Sequence, residues 1–345
     1  MKKISNFYIN NFDLIRVIAA LMVLLTHGFE LSGYLKDEPL YNITNGRFRF
    51  STAGLYIFFF TSGFLVTKSL ITTQVIGQFI WKRFLRIYPA LLVVVLLTVF
   101  VTGPIFTTHP AKEYFSDSIT WRYLFTSTGI YIRHILPGVF ENPAHFDHGV
   151  NGSLWSIALE LKLYFLLVIA GILLKFKIRY IFHIITAMVT CFFILVYFNF
   201  FNLQNSFTLL HSSLFMIFWS GSLCCYYYNR IIFNLPALLI IFLSWITSLY
   251  YFEPGRMFFE LLFFSYLTLY CAYTKKTVKL KVDLSYGVYI YAFLLTQVFI
   301  ELFPGILPWE LILLVISSVI PLSLLSWIFI EKKALKFKNK LVAHE

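Results

Sequence analysis

Apolar runs of about 20 residues, separated by short polar segments, follow one another along almost the whole chain. A helix needs about 20 predominantly apolar residues to cross the hydrocarbon core of a bilayer. The expected fold is therefore an all-α polytopic membrane protein, with residues 1–345 forming a single transmembrane domain. The pattern predicts about ten transmembrane helices, near residues 14–34, 52–72, 86–103, 154–174, 180–201, 209–228, 235–252, 257–273, 284–303 and 310–330.

The composition agrees with a membrane environment. Apolar residues make up 59% of the chain and charged residues only 13%, whereas soluble domains carry about 25% charged residues. A net charge of +12 would also suit a nucleic-acid-binding protein. However, the Lys and Arg residues lie in short clusters between apolar runs, so we expect membrane lipids and no nucleic acid among the partners.

The distribution of basic residues predicts the orientation in the membrane. Cytoplasmic loops carry an excess of Lys and Arg. With the N-terminus inside, the inner segments hold more than twice as many of these residues as the outer segments. An even number of helices returns the basic C-terminal tail to the same side. We therefore predict that both termini are cytoplasmic.

The longest connection between predicted helices, residues 104–153, is then extracytoplasmic. Loops of this length are usually functional or disordered, and the many aromatic residues and prolines of this one favour an ordered loop. Its His145, Asp147 and His148 resemble part of a metal site. Further ligands at metal-site spacing are missing, so no metal is predicted, and we expect these residues to line the path of a substrate.

Two ionisable residues of the first predicted helix, Arg16 and His27, need an explanation, because a charge at mid-bilayer costs about 2.5–3.5 kcal/mol. Eleven residues of helix place them on one face, roughly 16 Å apart along the axis. Arg16 would lie near the cytoplasmic boundary and His27 in the outer half of the membrane. The structural alternatives are an arginine that reaches lipid phosphates and a histidine hydrogen-bonded between helices.

Glu160 is expected at about the same depth as His27, two turns into the fourth predicted helix. A buried carboxylate must pair with a cation or be neutral. A His and a Glu at one depth form a plausible proton-transfer pair; the alternative is a structural ion pair between helices.

Arg83 and Arg86 open the third predicted helix at its inner end, three residues apart and so on one helical face. Two guanidinium groups there suit the phosphates of a ligand. The alternative is that they only mark the cytoplasmic flank of the helix.

The order of these residues resembles the acyltransferase-3 family of integral-membrane acyltransferases. The resemblance covers residues 11–333. Its segments are Phe12–Arg16 continuing to His27-Gly28-Phe29, Gly54–Leu65, Arg83–Pro89, Asn151–Ser156 continuing to Glu160, and Ile330-Glu331-Lys332. At Ala292 many relatives have His instead.

The resemblance implies an acyl-CoA-dependent O-acetyltransferase of the bacterial inner (cytoplasmic) membrane. Such an enzyme moves acetyl from cytoplasmic acetyl-CoA to an extracytoplasmic or lipid-linked polysaccharide, such as lipopolysaccharide, capsule or exopolysaccharide. With this function, His27 would act as a general base or become transiently acylated, and Glu160 would orient its ring. The other expected site residues are Arg16, Arg83 and Arg86 for the donor phosphates, Ser62 and Asn151 as hydrogen-bond donors to the oxyanion, and Trp155 and His148 for the acceptor.

Transport is the alternative function. Intramembrane His and Glu side chains also form proton relays in transporters, here of a lipid-linked sugar or a small acid. The sequence shows no symmetry between two halves, which many transporters have, and paired inner arginines fit acetyl-CoA better.

Overall fold

The computed structural model describes residues 10–73, 75–143, 145, 147–175, 181–200, 205–231, 233–273, 277–278 and 280–338. Both termini, for which a cytoplasmic location is predicted, lie outside these described residues. So do most of the basic residues in two of the predicted inner loops, residues 176–180 and 274–276.

The described residues form helices, and their only β-type pairing is the isolated bridge between Thr107 and Val139. The α-helices are α1 (Phe12–Leu31), α2 (Pro39–Ile43), α3 (Phe50–Thr73), α4 (Ile76–Leu97), α5 (Gly103–Phe106), α6 (Ala111–Ser116), α7 (Ser118–Tyr123), α8 (Trp155–Lys175), α9 (Ile181–Tyr197), α10 (Ser206–Tyr226), α11 (Leu235–Tyr251), α12 (Glu253–Ala272), α13 (Ser285–Leu302), α14 (Pro308–Ser326) and α15 (Lys332–Leu335).

Within the described part of the chain, seven helical segments are long and apolar enough to cross a membrane. These are Phe12–Leu31, Phe50–Thr73, Ile76–Phe106, Gly152–Ile172, Thr208–Tyr226, Ser285–Leu302 and Pro308–Lys338. Two shorter apolar helices cover His183–Tyr197 and Leu235–Tyr251. The protein is thus an all-helical, multi-pass membrane protein, as predicted, while the count of ten helices and the location of the termini stay predictions.

Two of the spanning segments are longer than the apolar pattern predicts. Ile76–Phe106 and Pro308–Lys338 contain 31 residues each, and each includes one π-helical stretch, Thr98–Thr102 and Trp327–Glu331. The prediction began the first of them at residue 86 because basic residues precede it. Those residues are good helix formers, so the helix starts ten residues earlier, at Ile76.

The chain divides into two compact units. The first comprises residues 1–19, 52–76 and 162–281. In it, α3 and α10 approach at two glycines: a Cβ atom on Gly63 would lie 1.9 Å from the Phe218 carbonyl oxygen, and one on Gly221 would lie 2.2 Å from that of Phe60. Small residues allow such close approach of membrane helices. The backbones of α3 and α10 therefore pack in direct contact.

The second unit comprises residues 20–51, 77–161 and 282–345. In it, α13 and α14 form a helical hairpin, with Gly287 against the Ser323 side chain. The long connection after α4 belongs to this unit and contains the short helices α5, α6 and α7 together with the 3-10 segments Leu124–Thr128 and Gly152–Leu154. The expected ordering of this loop is therefore confirmed; its extracytoplasmic location stays a prediction.

Candidate active site

His27 lies in the last part of α1, where its side chain is 18% exposed. The imidazole packs edge-on against the Phe293 ring of α13, with ring centroids 5.1 Å apart and planes at 72°. Its Nδ1 atom is 3.5 Å from Oε2 of Glu30. That is an ion-pair distance without hydrogen-bond geometry, and Nδ1 has no hydrogen-bond partner in the described part of the chain. The second ring nitrogen, Nε2, takes no part in this contact.

Glu30 is held between two basic groups. It follows His27 by three residues on α1, and neighbours at this spacing lie on the same helical face. Its Oε2 atom faces His27, and its Oε1 atom accepts a hydrogen bond of 2.9 Å from Nη1 of Arg49. Arg49 also lies over the Tyr41 ring at 5.2 Å. The carboxylate is therefore fixed in place beside the imidazole.

A completely buried carboxylate, Glu38, ties the segment around His27 together. Its Oε1 atom accepts hydrogen bonds from the Thr26 hydroxyl at 2.7 Å and from the Phe50 backbone N–H at 2.8 Å. Its Oε2 atom accepts from the Tyr41 N–H and thereby caps α2. Because Thr26 and Phe50 directly adjoin His27 and Arg49, this network helps to set the positions of both.

A cavity of about 690 Å³ opens beside His27. Its size is that of an ordinary small-molecule site. It combines aromatic rings, imidazoles and carboxylates with two aliphatic side chains and two glycines. The lining residues are His27, Glu30, Leu31, His134, Ile135, Asp147, His148, Gly149, Gly152, Trp155 and Phe293. Of the residues expected at the site, His27, Trp155 and His148 are therefore brought together here.

The cavity wall at residues 147–149 is anchored to α13 through Gln297, which is fully buried. Its Nε2 atom donates hydrogen bonds to the carbonyl oxygens of Asp147 and Gly149. Because a carbonyl can only accept, the amide orientation is fixed, and Oε1 of Gln297 faces Nδ1 of His145 at 3.0 Å. That Nδ1 atom must therefore carry a hydrogen.

The other nitrogen of His145, Nε2, lies 2.6 Å from Oε2 of Glu301. With a hydrogen on Nδ1, this contact needs a second proton, on either the imidazole or the carboxyl group. The pair is thus an imidazolium with a carboxylate, or a neutral imidazole with a carboxylic acid. Both nitrogens of His145 are engaged within the protein, so this histidine supports the wall and does not face the substrate.

The Asn-Gly-Ser-Leu-Trp segment is fitted closely to α13. The Asn151 side chain is fully buried and donates from Nδ2 to the Ile290 carbonyl at 2.8 Å. A Cβ atom on Gly152 would lie 2.7 Å from the Phe293 ring. Only glycine leaves room for that ring, which in turn packs on His27. The segment therefore positions the histidine, and Asn151 is tied to α13 rather than part of the cavity lining.

Glu160 lies apart from the cavity lining. It is five residues after Trp155 on α8, a rotation that places the two side chains about 140° apart around the helix. Its charge acts on the hydroxyl groups of Tyr286 and Tyr289. The Tyr289 hydroxyl in turn forms a hydrogen bond of 2.6 Å with the hydroxyl of Ser156, which lies one turn before Glu160. The carboxylate found next to His27 is Glu30, and the pairing of His27 with Glu160 stays a prediction.

Arg83 and Arg86 have different surroundings on α4. The Arg86 side chain is 17% exposed, forms an ion pair with Asp283, and lies 3.8 Å from Oε2 of Glu331. Arg83 packs its guanidinium over the Phe79 ring at 6.0 Å. A buried guanidinium between two carboxylates is typical of a structural ion pair. Arg86 therefore pairs with the carboxylates of Asp283 and Glu331, and the sequence did not predict either partner.

The N-terminal end of α4 nevertheless carries several positive charges. Lys82, Arg83 and Arg86 lie close enough to Lys338 for their charges to act on it. The indole N–H of Trp81 donates to the Phe337 carbonyl at 3.1 Å, which holds the C-terminal helical segment against this end of α4. Such a cluster attracts polyanions.

The remaining two expected residues belong to the first unit. Arg16 is half-buried on α1, which runs unbroken from Phe12 to Leu31 and so carries Arg16 and His27 on one helix. The Ser62 hydroxyl lies 3.0 Å from that of Tyr164. Neither residue is in the described lining of the cavity.

The electrostatic character of the cavity is set by its histidines and carboxylates. Burial lowers the pKa of His134, an effect that the nearby Asp147 carboxylate partly opposes. His134 is therefore neutral at physiological pH. In the described part of the chain, no group of three or more His, Cys, Asp or Glu side chains is arranged to hold a metal ion.

Comparison with known proteins places the chain in a family. The acyltransferase-3 family model, described as an acyltransferase domain, matches residues 9–330. An O-acetyl transferase of Shigella phage Sf6 is 32% identical over 355 residues, which cover 94% of this chain and 96% of the relative. Nodulation protein 10 of Rhizobium leguminosarum bv. viciae is 28% identical over 355 residues, covering 97% and 95%. No solved structure gives a significant match.

The helical membrane fold and the cavity beside His27 define a multi-pass membrane protein with a site that contains histidines and carboxylates. The family model matches nearly the whole length of the chain, which therefore belongs to the acyltransferase-3 family. The resemblance based on its motifs is thereby confirmed, and acyl transfer is favoured over the transport alternative.

Proposed function

We propose that this protein is a membrane O-acyltransferase that moves acetyl from cytoplasmic acetyl-CoA to a hydroxyl group of an extracytoplasmic or lipid-linked polysaccharide. The observation that carries the proposal is the His27–Glu30 pair at the wall of a cavity of about 690 Å³. A relative that covers 94% of the chain carries the name O-acetyl transferase, which agrees with the choice of acyl group and acceptor atom.

The chemistry follows from the orientation of the imidazole. An acceptor hydroxyl in the cavity attacks the thioester carbonyl and gives its proton to Nε2 of His27. Glu30, 3.5 Å from Nδ1, stabilises the imidazolium that forms. The imidazolium then returns the proton to the departing thiolate, so that the products are an acetyl ester and free coenzyme A. In the alternative route, Nε2 attacks the thioester and takes the acetyl group while coenzyme A leaves as the thiolate. The acceptor hydroxyl then attacks the acetyl group, the imidazole is released, and the hydroxyl proton passes to the thiolate.

The donor and the acceptor would approach from opposite sides. The basic cluster of Lys82, Arg83, Arg86 and Lys338 is at the predicted cytoplasmic end of α4 and suits the phosphates of coenzyme A. The cavity is lined by residues from the predicted extracytoplasmic loop. Arg86 contributes mainly by holding Asp283 and Glu331, while Arg83 contacts the donor. This arrangement fits an enzyme of the bacterial inner membrane.

The roles of the other expected residues also remain proposals. Arg16 would extend the binding of donor phosphates along α1, and Ser62 would face the reacting carbonyl. Asn151 acts by fixing the position of Gly152 on α13. Glu160 is proposed to act through Tyr289 and Ser156, so Glu160→Gln should lower the rate of transfer less than Glu30→Gln does.

The proposal is tested with purified protein in liposomes, acetyl-CoA labelled in the acetyl group, and a panel of envelope polysaccharides. Label that becomes bound to the polysaccharide and is released by mild alkali, as an ester is, supports the proposal. Uptake of a sugar or a small acid in the absence of acetyl-CoA, without ester formation, would contradict it and favour transport.

A further inference from the structure

We infer that the acceptor is an uncharged sugar and that the cavity beside His27 discriminates against acidic ones. This inference rests on the proposed function and adds the charge class of the acceptor. The cavity lining includes two carboxylates, Glu30 and Asp147, and among the described lining residues there is neither Lys nor Arg. An acceptor with a uronate or phosphate group would therefore meet like charge without a cation at contact distance.

The Asp147 carboxylate is a fixed part of the wall. Its Oδ1 atom accepts a hydrogen bond of 2.8 Å from the Gly149 N–H. The backbone on either side is held by Gln297, which donates to the carbonyls of Asp147 and Gly149. Gln297 and the supporting His145 are both buried, so the backbone that carries the exposed Asp147 side chain is held in place.

Glu30 is equally restrained. Arg49 binds its Oε1 atom at 2.9 Å, but Arg49 itself is not among the lining residues. Its guanidinium is occupied by Glu30 and lies over the Tyr41 ring. An anionic acceptor would therefore have to compete with Glu30 for Arg49.

Two imidazoles of the cavity, His134 and His27, do not supply a compensating cation. His134 is neutral because burial lowers its pKa. Nδ1 of His148 lies 2.8 Å from the Phe140 carbonyl oxygen, so it carries a hydrogen, donates there and is not available to an acceptor. His27 must be unprotonated to take the hydroxyl proton. His134 therefore adds no positive charge to the cavity, and His27 adds none while it acts as a base.

The same lining suits a neutral sugar. Carboxylate oxygens accept strong hydrogen bonds from hydroxyl groups. Trp155 and Phe293 offer flat apolar surfaces on which the C–H faces of a sugar ring can pack. A polyhydroxyl ring without a charge satisfies both kinds of surface at once.

The experiment compares matched acceptors in the liposome assay with labelled acetyl-CoA. The pairs are methyl hexosides and the corresponding methyl hexuronides of the glucose, galactose and mannose series, which differ by one carboxylate. We expect kcat/KM at least tenfold higher for the neutral member. In Asp147→Asn, the ratio of uronide to hexoside transfer should rise several-fold. In the control Asp117→Asn, which changes a half-buried carboxylate that caps α7 and is not in the described lining of the cavity, the ratio should stay at the wild-type value.

The outcomes separate this inference from the function on which it rests. Equal transfer to both members, or preference for the uronide, overturns the inference and leaves acetyl transfer standing. An unchanged ratio in Asp147→Asn overturns the assigned role of the Asp147 charge. Absence of transfer to every hexoside and to the polysaccharide panel overturns the proposed function and this inference with it.

Discussion

Nδ1 of His27 lies 3.5 Å from Oε2 of Glu30, one turn further along the same helix. The two residues need no other element to bring them together, because side chains three apart on a helix are neighbours. Arg49 fixes the far oxygen of the carboxylate at 2.9 Å. An imidazole with a fixed carboxylate on one nitrogen is arranged to take up and return a proton on the other.

Replacement of Glu30 by Gln keeps the shape of this site and removes the charge. We expect kcat for acetyl transfer to fall by about 10²-fold, within the range of contributions from general acid–base catalysis, because the imidazolium loses its counter-ion. The control is Glu113→Gln, which removes another His–Glu contact, 3.1 Å from His109 and well exposed. Equal effects of the two substitutions would contradict a catalytic role for Glu30.

Gly152→Ala tests how His27 is positioned. The new methyl group would lie 2.7 Å from the Phe293 ring and push that ring towards the imidazole. We expect lower kcat in a protein that still folds, with partial recovery in Gly152→Ala/Phe293→Leu, where the smaller side chain makes room. Gly77→Ala is the control, because nothing lies within 4 Å of the added atom. Unchanged kcat in Gly152→Ala would show that the ring does not position His27.

The two arginines of α4 should differ when each is replaced by Gln. Arg86→Gln leaves Asp283 and the buried Glu331 without their shared cation, and breaking such a pair costs about 3–5 kcal/mol. A large fall in the thermal midpoint in detergent is therefore expected. Arg83→Gln should lower the midpoint less than Arg86→Gln does and raise KM for acetyl-CoA. The opposite pattern would contradict the assignment of Arg86 to structure and Arg83 to the donor.

The lowered pKa of His134 predicts that the stability of the folded protein depends on pH. Burial lowers its pKa in the folded protein from 6.5, so below that pH the unfolded chain binds more protons at this residue than the folded protein does. Stability therefore rises with pH over this range. The thermal midpoint should fall less between pH 7 and pH 5 in His134→Asn than in the wild type. A steeper fall in the variant would contradict the direction of the shift.

The helical, membrane-spanning character of the chain was predictable because it depends on local apolar runs. The positions of His27 and Arg16 on one helix followed from the same pattern, and α1 confirms them. The start of α4 was predicted ten residues too late, because hydropathy marks the hydrocarbon core and not the helix. Hydropathy does not show where the polar ends of a membrane-spanning helix begin or end.

The partners of the site residues were much harder to predict. Glu30 could have been predicted from the sequence, since it follows His27 by three residues. The expectation that the partner lies on another helix at the same depth favoured Glu160 instead. Asp283 pairs with Arg86 across 197 positions of the sequence. Contacts of this kind depend on how helices are arranged, which one sequence does not reveal.

The most direct test of the central claim is acetyl transfer by His27→Ala in liposomes, with labelled acetyl-CoA and an acceptor that the wild-type protein uses. His183→Ala, which changes an exposed histidine of the first unit, is the matched control. We predict that His27→Ala loses transfer by at least about 10²-fold while its thermal midpoint stays near that of the wild type, and that His183→Ala remains active. Transfer by His27→Ala at the wild-type rate would contradict the account.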